Sequence, residues 1–234
     1  MALPKIDTPK YQLTIPSTQQ QIDYRPFLVK EQKIIMMAQE SGDQNSMIKA
    51  VGDLVDSCTF GKINASNSPT FDVEYIFLKI RSKSVGETVE LTVTCPDDEK
   101  TKVPVKIKLD DINVLNDVTH KNEIDVTDTI KMVFRYPLLI DTMDLDSGNS
   151  VDAPFKMINS CVESIHYGDD VYQKIDITEK DLEEFIDQLT GEQFESIMNF
   201  FNTMPKLRHV IQVTNPETNV KSEVVLEGLQ SFLG

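Results

Sequence analysis

The chain has few of the residues that build covalent, metal or phosphate sites. Its 234 residues include three cysteines, three histidines and nine glycines. Cys58, Cys95 and Cys161 are odd in number and far apart, which argues against a disulfide framework and is typical of a reducing compartment. No two histidines stand in a metal-binding pair, and the glycines are spread singly, so no phosphate-binding loop is recognised. These absences leave no constellation of residues that requires catalysis.

Long apolar runs and basic residues are scarce as well. Nowhere do about eighteen apolar residues follow one another, as a membrane-spanning helix requires, and residues 1–10 lack the pattern of a signal peptide. The 38 acids outnumber the 23 bases and give a formal charge of −15. This charge would repel phosphate backbones, so we expect no nucleic-acid partner, and we expect no membrane. The sequence predicts a soluble protein made in a cytoplasm.

One segment organises the rest of the chain: a predicted helix from Phe71 to Gly86. Ser68 is expected to cap this helix and Pro69 to occupy its first position. At helical spacing the apolar side chains form two opposite stripes, and a helix with two apolar faces should be covered on both sides. We therefore predict a central buried helix with the core residues Phe71, Val73, Tyr75, Phe77, Leu78 and Ile80.

The other elements follow from hydrophobic period and turn residues. Helical spacing predicts helices at 27–38, 45–57, 155–165, 178–189 and 190–201, and alternation predicts strands at 11–15, 88–94, 103–109, 129–136, 208–213 and 220–226. The polar stretch 141–153 has no period and is predicted to be a flexible loop. No internal repeat is recognised in the sequence.

Together these elements predict an α+β fold with a central two-faced helix packed between helices and small antiparallel hairpins. We expect a scaffold domain at 1–140, the loop at 141–153, and an acidic, mainly helical region at 154–234 that ends in a hairpin and a short helix.

Carboxylates are the remaining candidates for chemistry. Asp144 and Asp146 have the spacing of a calcium loop, but Gly148, a missing third ligand and the absent closing Glu spoil the pattern. Cys95 begins a hairpin turn as a zinc knuckle does, but no second thiolate follows it. We therefore expect no catalytic residue, metal or cofactor. Two alternatives stay open: an acidic metal-dependent hydrolase using Asp144 and Asp146 or the Asp97–Glu99 turn, and an acidic inhibitor that mimics nucleic acid.

Three aromatic residues near the C-terminus permit two interpretations. Phe194, Phe201 and Phe232 belong by default to the core, but aromatic side chains are also enriched at protein interfaces. We predict them as partner-binding anchors, and the sequence alone does not separate the two roles.

Three segments together resemble one phage family. They are Tyr24–Glu31, the helix 71–87 with its hairpin, and Met132–Pro137, in this order. Over about residues 1–140 they are similar to the baseplate hub subunits of T-even-type, contractile-tailed phages. The resemblance implies a non-enzymatic protein of the hub that binds other hub proteins, with the tape-measure protein as a further candidate partner. It implies assembly in the host cytoplasm, either as a subunit retained in the virion tail or as a chaperone-like factor.

Overall fold

A computed structural model describes residues 6–143 and 152–232 of the chain. The helices are α1 (Val29–Ser41), α2 (Gln44–Cys58), α3 (Thr70–Val85), α4 (Leu139–Met143), α5 (Ala153–Cys161), α6 (Glu179–Ile186) and α7 (Gly191–Thr203). The strands are β1 (Tyr11–Thr14), β2 (Gln21–Tyr24), β3 (Thr88–Thr94), β4 (Lys102–Lys108), β5 (Asn113–Leu115), β6 (Glu123–Asp125), β7 (Ile130–Phe134), β8 (Val162–Tyr167), β9 (Asp170–Gln173), β10 (Lys206–Thr214) and β11 (Lys221–Glu227). Since every described sheet is antiparallel and separate from the helices, the α+β prediction is confirmed.

The chain divides into two compact units. Unit 1 consists of Met1–Leu115 with Lys206–Gly234, and unit 2 of Asn116–Pro205. The C-terminal hairpin joins unit 1 because β10 pairs with β5, with Leu207 opposite Val114. The boundaries of these units, after Leu115 and after Pro205, therefore differ from the domain boundaries predicted at 140 and 154. Local sequence patterns do not reveal the long-range strand pairing on which the units depend. Residues 144–151, most of the predicted loop, lie outside the described residues, so the loop stays a prediction.

Helix α3 is buried on both of its apolar sides. Phe71, Val73, Ile76, Phe77, Leu78 and Ile80 are buried, and Tyr75 is partly buried. The carboxylate of Asp72 on this helix is buried too, and it accepts hydrogen bonds from the backbone N–H and the hydroxyl of Ser17. Burial raises the pKa of Asp72, and these hydrogen bonds oppose the shift.

The start of α3 differs from the prediction. Pro69 is the N-cap residue, and it makes no side-chain cap hydrogen bond. The Ser68 hydroxyl donates instead to the carbonyl of Asn64 at 2.8 Å. The expected Ser68 cap is therefore wrong, because a short 3-10 turn at Ala65–Asn67 draws the serine back toward the preceding turn.

One core cluster of unit 1 lies where α3 meets two hairpins. Its buried residues come from α3, from β3–β4 and from β10–β11 with the segments that follow them: Leu78, Val89, Leu91, Val93, Ile107, Leu109, Ile112, Leu207, Val213, Leu226 and Phe232. Both hairpins show one apolar and one polar face, as alternation along a strand predicts.

Unit 2 is built around a sheet in the order β6-β7-β8-β9. The predicted helix 155–165 is wrong beyond Cys161, because Val162–Tyr167 forms β8 and pairs with β7, with Ile165 opposite Met132. Helices α5, α6 and α7 supply the rest of its core, which includes Ile158, Leu182, Ile186, Ile197, Phe200 and Phe201.

The order of elements recurs along the chain, contrary to the expectation of no internal repeat. The first copy runs from β1 to the 3-10 turn at Leu109–Asp111. It consists of the hairpin β1–β2, the helices α1, α2 and α3, the hairpin β3–β4 and that turn. The same order occurs again from β6 to Leu229–Phe232, with β8, β9 and α6 inserted before the last helix. The β3–β4 and β10–β11 hairpins have the same kind of turn, in which Glu99 or Asn219 adopts a positive φ three residues after a proline. Few side chains are shared, so the sequence pattern conceals the repeat.

A buried ion pair joins the first hairpin to α1 and α2. The Arg25 guanidinium donates to a Glu31 carboxylate oxygen at 2.9 Å and to the Pro26 carbonyl at 2.9 Å. The other Glu31 oxygen accepts the N–H of Leu28 at 2.8 Å, at the start of α1. The backbone N–H of Arg25 donates to the carbonyl of Cys58, at the end of α2. We call this set the Arg25 clasp.

Unit 2 repeats the same contacts. The Arg135 guanidinium donates to Asp141 at 2.7 Å and to the Tyr136 carbonyl at 3.0 Å. Asp141 accepts the N–H of Leu138 at 2.7 Å, and the N–H of Arg135 donates to the carbonyl of Cys161. In both clasps the acid follows the arginine by six residues. Both arginines lie in segments that carried the family resemblance, which gives those segments a structural role.

Candidate docking surface

The acidic charge of the chain is concentrated in unit 2. Residues 116–205 contain 19 acids and 6 bases, a net charge of −13, whereas unit 1 contains 19 acids and 17 bases, a net charge of −2. Nearly all of the formal charge of −15 therefore belongs to the smaller unit. A surface of one sign attracts partners of the opposite sign and repels those of the same sign.

An apolar groove of about 330 Å³ opens on unit 2. It lies between the β7–β8–β9 sheet and α6, and its lining consists of Ile130, Ile165, Tyr167, Tyr172, Ile177, Asp181, Leu182 and Phe185. Leu182 and Ile165 are buried at its base, whereas Tyr167 is 54% and Tyr172 is 49% exposed at its edge. Large apolar side chains held half open to water around a concave surface are typical of a binding site.

The groove is shaped by the β8–β9 hairpin and by the start of α6. Gly168 turns the hairpin with a φ of 59°, so that Tyr167 lies opposite Asp170 in the register. Thr178 caps α6: its hydroxyl accepts the N–H of Asp181 at 3.1 Å, and the Asp181 carboxylate accepts the N–H of Thr178 at 3.2 Å. The Thr178 hydroxyl also donates to the Asp181 carboxylate at 2.6 Å, and this hydrogen bond, with the one from the Thr178 N–H, lowers the pKa of Asp181, so the one acid in the lining is ionised at neutral pH.

The elements that form the groove carry an acidic rim. Between Tyr167 and Asp187 there are eight acids and two bases. The exposed acids of this rim are Asp169, Asp170, Asp176, Glu179, Asp181, Glu183, Glu184 and Asp187. One of the two bases, Lys180, pairs with Glu184 at 3.3 Å, which leaves the rim strongly negative.

Sequence reasoning missed this surface because it continued α5 through Ile165. A usable signal was present: Gly168-Asp169 between alternating segments is a short hairpin turn, and Tyr167 and Tyr172 flank it. A short apolar run such as Val162–Tyr167 can form either a strand or a helix. It forms a strand here because it pairs with β7.

The three predicted anchors lie inside their own units. Phe232 is 0% and Phe201 is 9% exposed, each within a core cluster. Phe194 is partly buried, with its ring 5.3 Å from that of Phe155. These positions agree with the core role that the sequence gives these residues by default, and their binding to a partner stays a prediction.

A second apolar surface lies on α1 in unit 1. Val29 and Met37 are each more than two-thirds exposed, and Met36 and Ile34 are about half exposed. Lys30, Lys33 and Glu40 lie among them, so this face is mixed in charge, unlike the groove of unit 2.

The candidate carboxylates that the structure describes, Asp97 and Asp98, bind groups of hairpin turns. The Asp97 carboxylate accepts from the side chains of Asn215 and Thr218 and thereby joins two hairpin turns. Asp98 accepts from the N–H groups of Lys100 and Thr101, and its pKa is lowered by its hydrogen bonds to Thr101. Asp144 and Asp146 lie outside the described residues. Within 6–143 and 152–232, no three His, Cys, Asp or Glu side chains are grouped as a metal site would require.

The described cysteines are buried. Cys95 is a free thiol in the β3–β4 turn, and burial raises its pKa, which favours the protonated thiol over the thiolate. In the part of the chain that the structure describes, each helix is too short or too polar to cross a lipid bilayer.

Glu74 on α3 provides a test of the packing between α3 and the C-terminal segment. It accepts the N–H of Leu229 at 3.1 Å, and burial raises its pKa from 4.5 to about 7. Between these two pH values the folded state keeps a proton that the unfolded state has lost, so the free energy of unfolding falls as pH rises. We expect Glu74→Gln to be more stable than the unchanged chain at pH 8, by about 1–3 kcal/mol, and similar to it at pH 4.5.

Urea unfolding followed by circular dichroism at both pH values measures this difference. Glu90→Gln, an exposed acid on β3, is the control and should leave the pH dependence unchanged. If Glu74→Gln and the unchanged chain lose stability in parallel between pH 5 and 8, then the pKa of Glu74 is not raised in the folded state.

Comparison with known proteins decides the family. A family model described as "T4 bacteriophage base plate protein" matches residues 8–234. The chain belongs to this base plate family. It is also 25% identical over 214 residues to the "Baseplate hub assembly protein gp26" of Enterobacteria phage T4, which covers 90% of this chain and 91% of that protein. No solved structure matches it.

As a base plate protein, the chain has a structural or assembly role in the phage base plate, which confirms the structural or assembly role that the resemblance implied. The match extends the resemblance from residues 1–140 to the acidic C-terminal third. Both Arg clasps and the groove of unit 2 therefore lie within the family region.

Proposed function

We propose that the chain assembles the hub of the baseplate by binding other hub proteins, and that it catalyses no reaction. The relative from phage T4 is by name a baseplate hub assembly protein. The observation that carries the proposal is the open apolar groove of unit 2 within a surface of net charge −13, since this is a surface for binding. The candidate carboxylates Asp97 and Asp98 are engaged in hydrogen bonds that stabilise hairpin turns, which favours a scaffold over a hydrolase.

The proposal includes where the protein acts and what it avoids. We propose that it works in the host cytoplasm while tails are assembled, with hub proteins as partners and the tape-measure protein as a further candidate. Because the excess negative charge repels phosphate groups, we propose neither nucleic acid nor an anionic membrane as a partner.

The test is genetic. A phage in which this gene carries an early stop codon is expected to produce tails or tail parts without complete baseplates, as seen by electron microscopy of infected-cell lysates. A plasmid that supplies the unchanged chain should restore particles, and the same plasmid with the stop codon should not. Normal infectious particles from the mutant phage in the absence of the plasmid would contradict the proposal.

A further inference from the structure

We infer that the groove of unit 2 binds a basic, apolar segment of another baseplate protein, which inserts large apolar side chains between the sheet and α6 while its Lys or Arg residues face the acidic rim. This inference rests on the proposed function and specifies the chemistry of the partner.

The lining determines which part of the partner enters. Apart from Asp181 it consists of aliphatic and aromatic side chains, with Leu182 and Ile165 at its base. Burying such surface is favourable for an apolar group and unfavourable for a polar one. A volume of about 330 Å³ is near the lower end of ligand pockets, so the groove accepts a few anchor side chains of a segment and not a folded surface.

The rim determines the charge of the segment. Asp170, which pairs with Tyr167 in the β8–β9 register, and Asp176, four residues after Tyr172, are exposed, and Asp181 is an ionised acid in the lining itself. An acidic segment, a nucleic acid or an anionic lipid would meet repulsion here, whereas Lys and Arg are attracted and also pack favourably on tyrosine rings. Complementary charges favour a basic protein segment among the apolar ligands that could fill the groove.

Three synthetic sixteen-residue peptides, labelled with fluorescein, test the inference against the full-length chain. One contains Leu and Lys at amphipathic helical spacing, one has Glu in place of Lys, and one has Ser in place of Leu. Fluorescence anisotropy is expected to show binding of the Leu/Lys peptide that is at least tenfold tighter than binding of either other peptide and that weakens as salt is added.

Two pairs of matched variants locate the binding. Tyr167→Ser with Tyr172→Ser should weaken binding of the Leu/Lys peptide at least tenfold, whereas Val210→Ser with Val225→Ser, a comparably exposed pair on β10–β11, should not. Asp170→Asn with Asp176→Asn should weaken it and flatten its salt dependence more than Glu192→Gln with Glu195→Gln on α7. The acid variants alter exposed side chains only, so they remain informative if the tyrosine variant does not fold.

Two results would overturn the inference. In the first, the Ser/Lys peptide binds as tightly as the Leu/Lys peptide, or the groove variants bind as the unchanged chain does. In the second, sedimentation equilibrium shows a dimer that the tyrosine variants dissociate, because a second copy of the chain would then be the occupant. Either result leaves the proposed hub function intact, since that function is judged by the stop-codon phage and not by peptide binding.

Discussion

Glu31→Ala is expected to lower the free energy of unfolding of unit 1 by about 3–5 kcal/mol, because it leaves the Arg25 guanidinium buried without its carboxylate. The two residues are only 8% and 5% exposed, and one hydrogen bond of 2.9 Å joins them. The substitution also removes the acceptor of the Leu28 N–H at the start of α1. Urea unfolding by circular dichroism, with hydrogen exchange to assign the change to unit 1, measures the loss.

The pH dependence of stability provides an independent test of the same ion pair. Although burial opposes it, hydrogen bonding to Arg25 and Leu28 lowers the pKa of Glu31 from 4.5 to about 2. Its contribution to stability is therefore fully present above pH 4.5 and is lost as pH falls toward about 2. The Glu31→Ala variant should not show this loss of stability between pH 4.5 and about 2.

Control substitutions separate the clasp from the general effect of removing an acid. Glu40→Ala, an exposed acid on α1, should change stability by less than about 0.5 kcal/mol. Asp141→Ala, in the corresponding clasp of unit 2, should have a smaller effect than Glu31→Ala, since the Arg135 side chain is 30% exposed. Equal effects of Glu31→Ala and Glu40→Ala would show that the Arg25 clasp does not stabilise the fold.

Phe232→Ala is expected to destabilise unit 1 by about 3–5 kcal/mol, because it removes a fully buried ring from the core that α3 and two hairpins share. Differential scanning calorimetry should show a lower transition temperature for one of the two units. Phe60→Ala, where the ring is almost half exposed, is the control and should cost less than about 1 kcal/mol.

This experiment also separates the two interpretations of the C-terminal aromatic residues. If Phe232 is a core residue, its loss lowers stability even in the isolated chain. If it is instead an anchor that leaves the core to bind a partner, Phe232→Ala will unfold at the same temperature as the unchanged chain and will fail to bind that partner.

Local patterns in the sequence were sufficient to predict the helices and hairpins whose residues show a clear helical period or strand alternation. The predicted ends of helix α3 lie within one residue of the observed ends, because apolar residues repeating at helical spacing are not compatible with a strand. The β3–β4 and β10–β11 hairpins were predicted because alternation and proline-containing turns coincide. These elements supply most of the buried cluster that α3 shares with the two hairpins.

Long-range pairing could not be predicted from one sequence. The change from α5 to β8 at Val162 depends on the neighbouring strand β7, and the placement of β10 in unit 1 depends on β5. The groove was missed for the same reason, since Tyr167 and Leu182 meet only once β8 is a strand. The clasps were also hidden, because each arginine contacts a carbonyl more than 25 residues away.

The most direct measurement of the central claim is pairwise co-expression of the chain with each hub protein of the phage that encodes it, followed by size-exclusion chromatography with light scattering. We expect a stable complex with at least one hub protein, and we expect Tyr167→Ser with Tyr172→Ser to dissociate it while Val210→Ser with Val225→Ser does not. A chain that elutes alone beside every hub protein would contradict the claim that it acts by binding them.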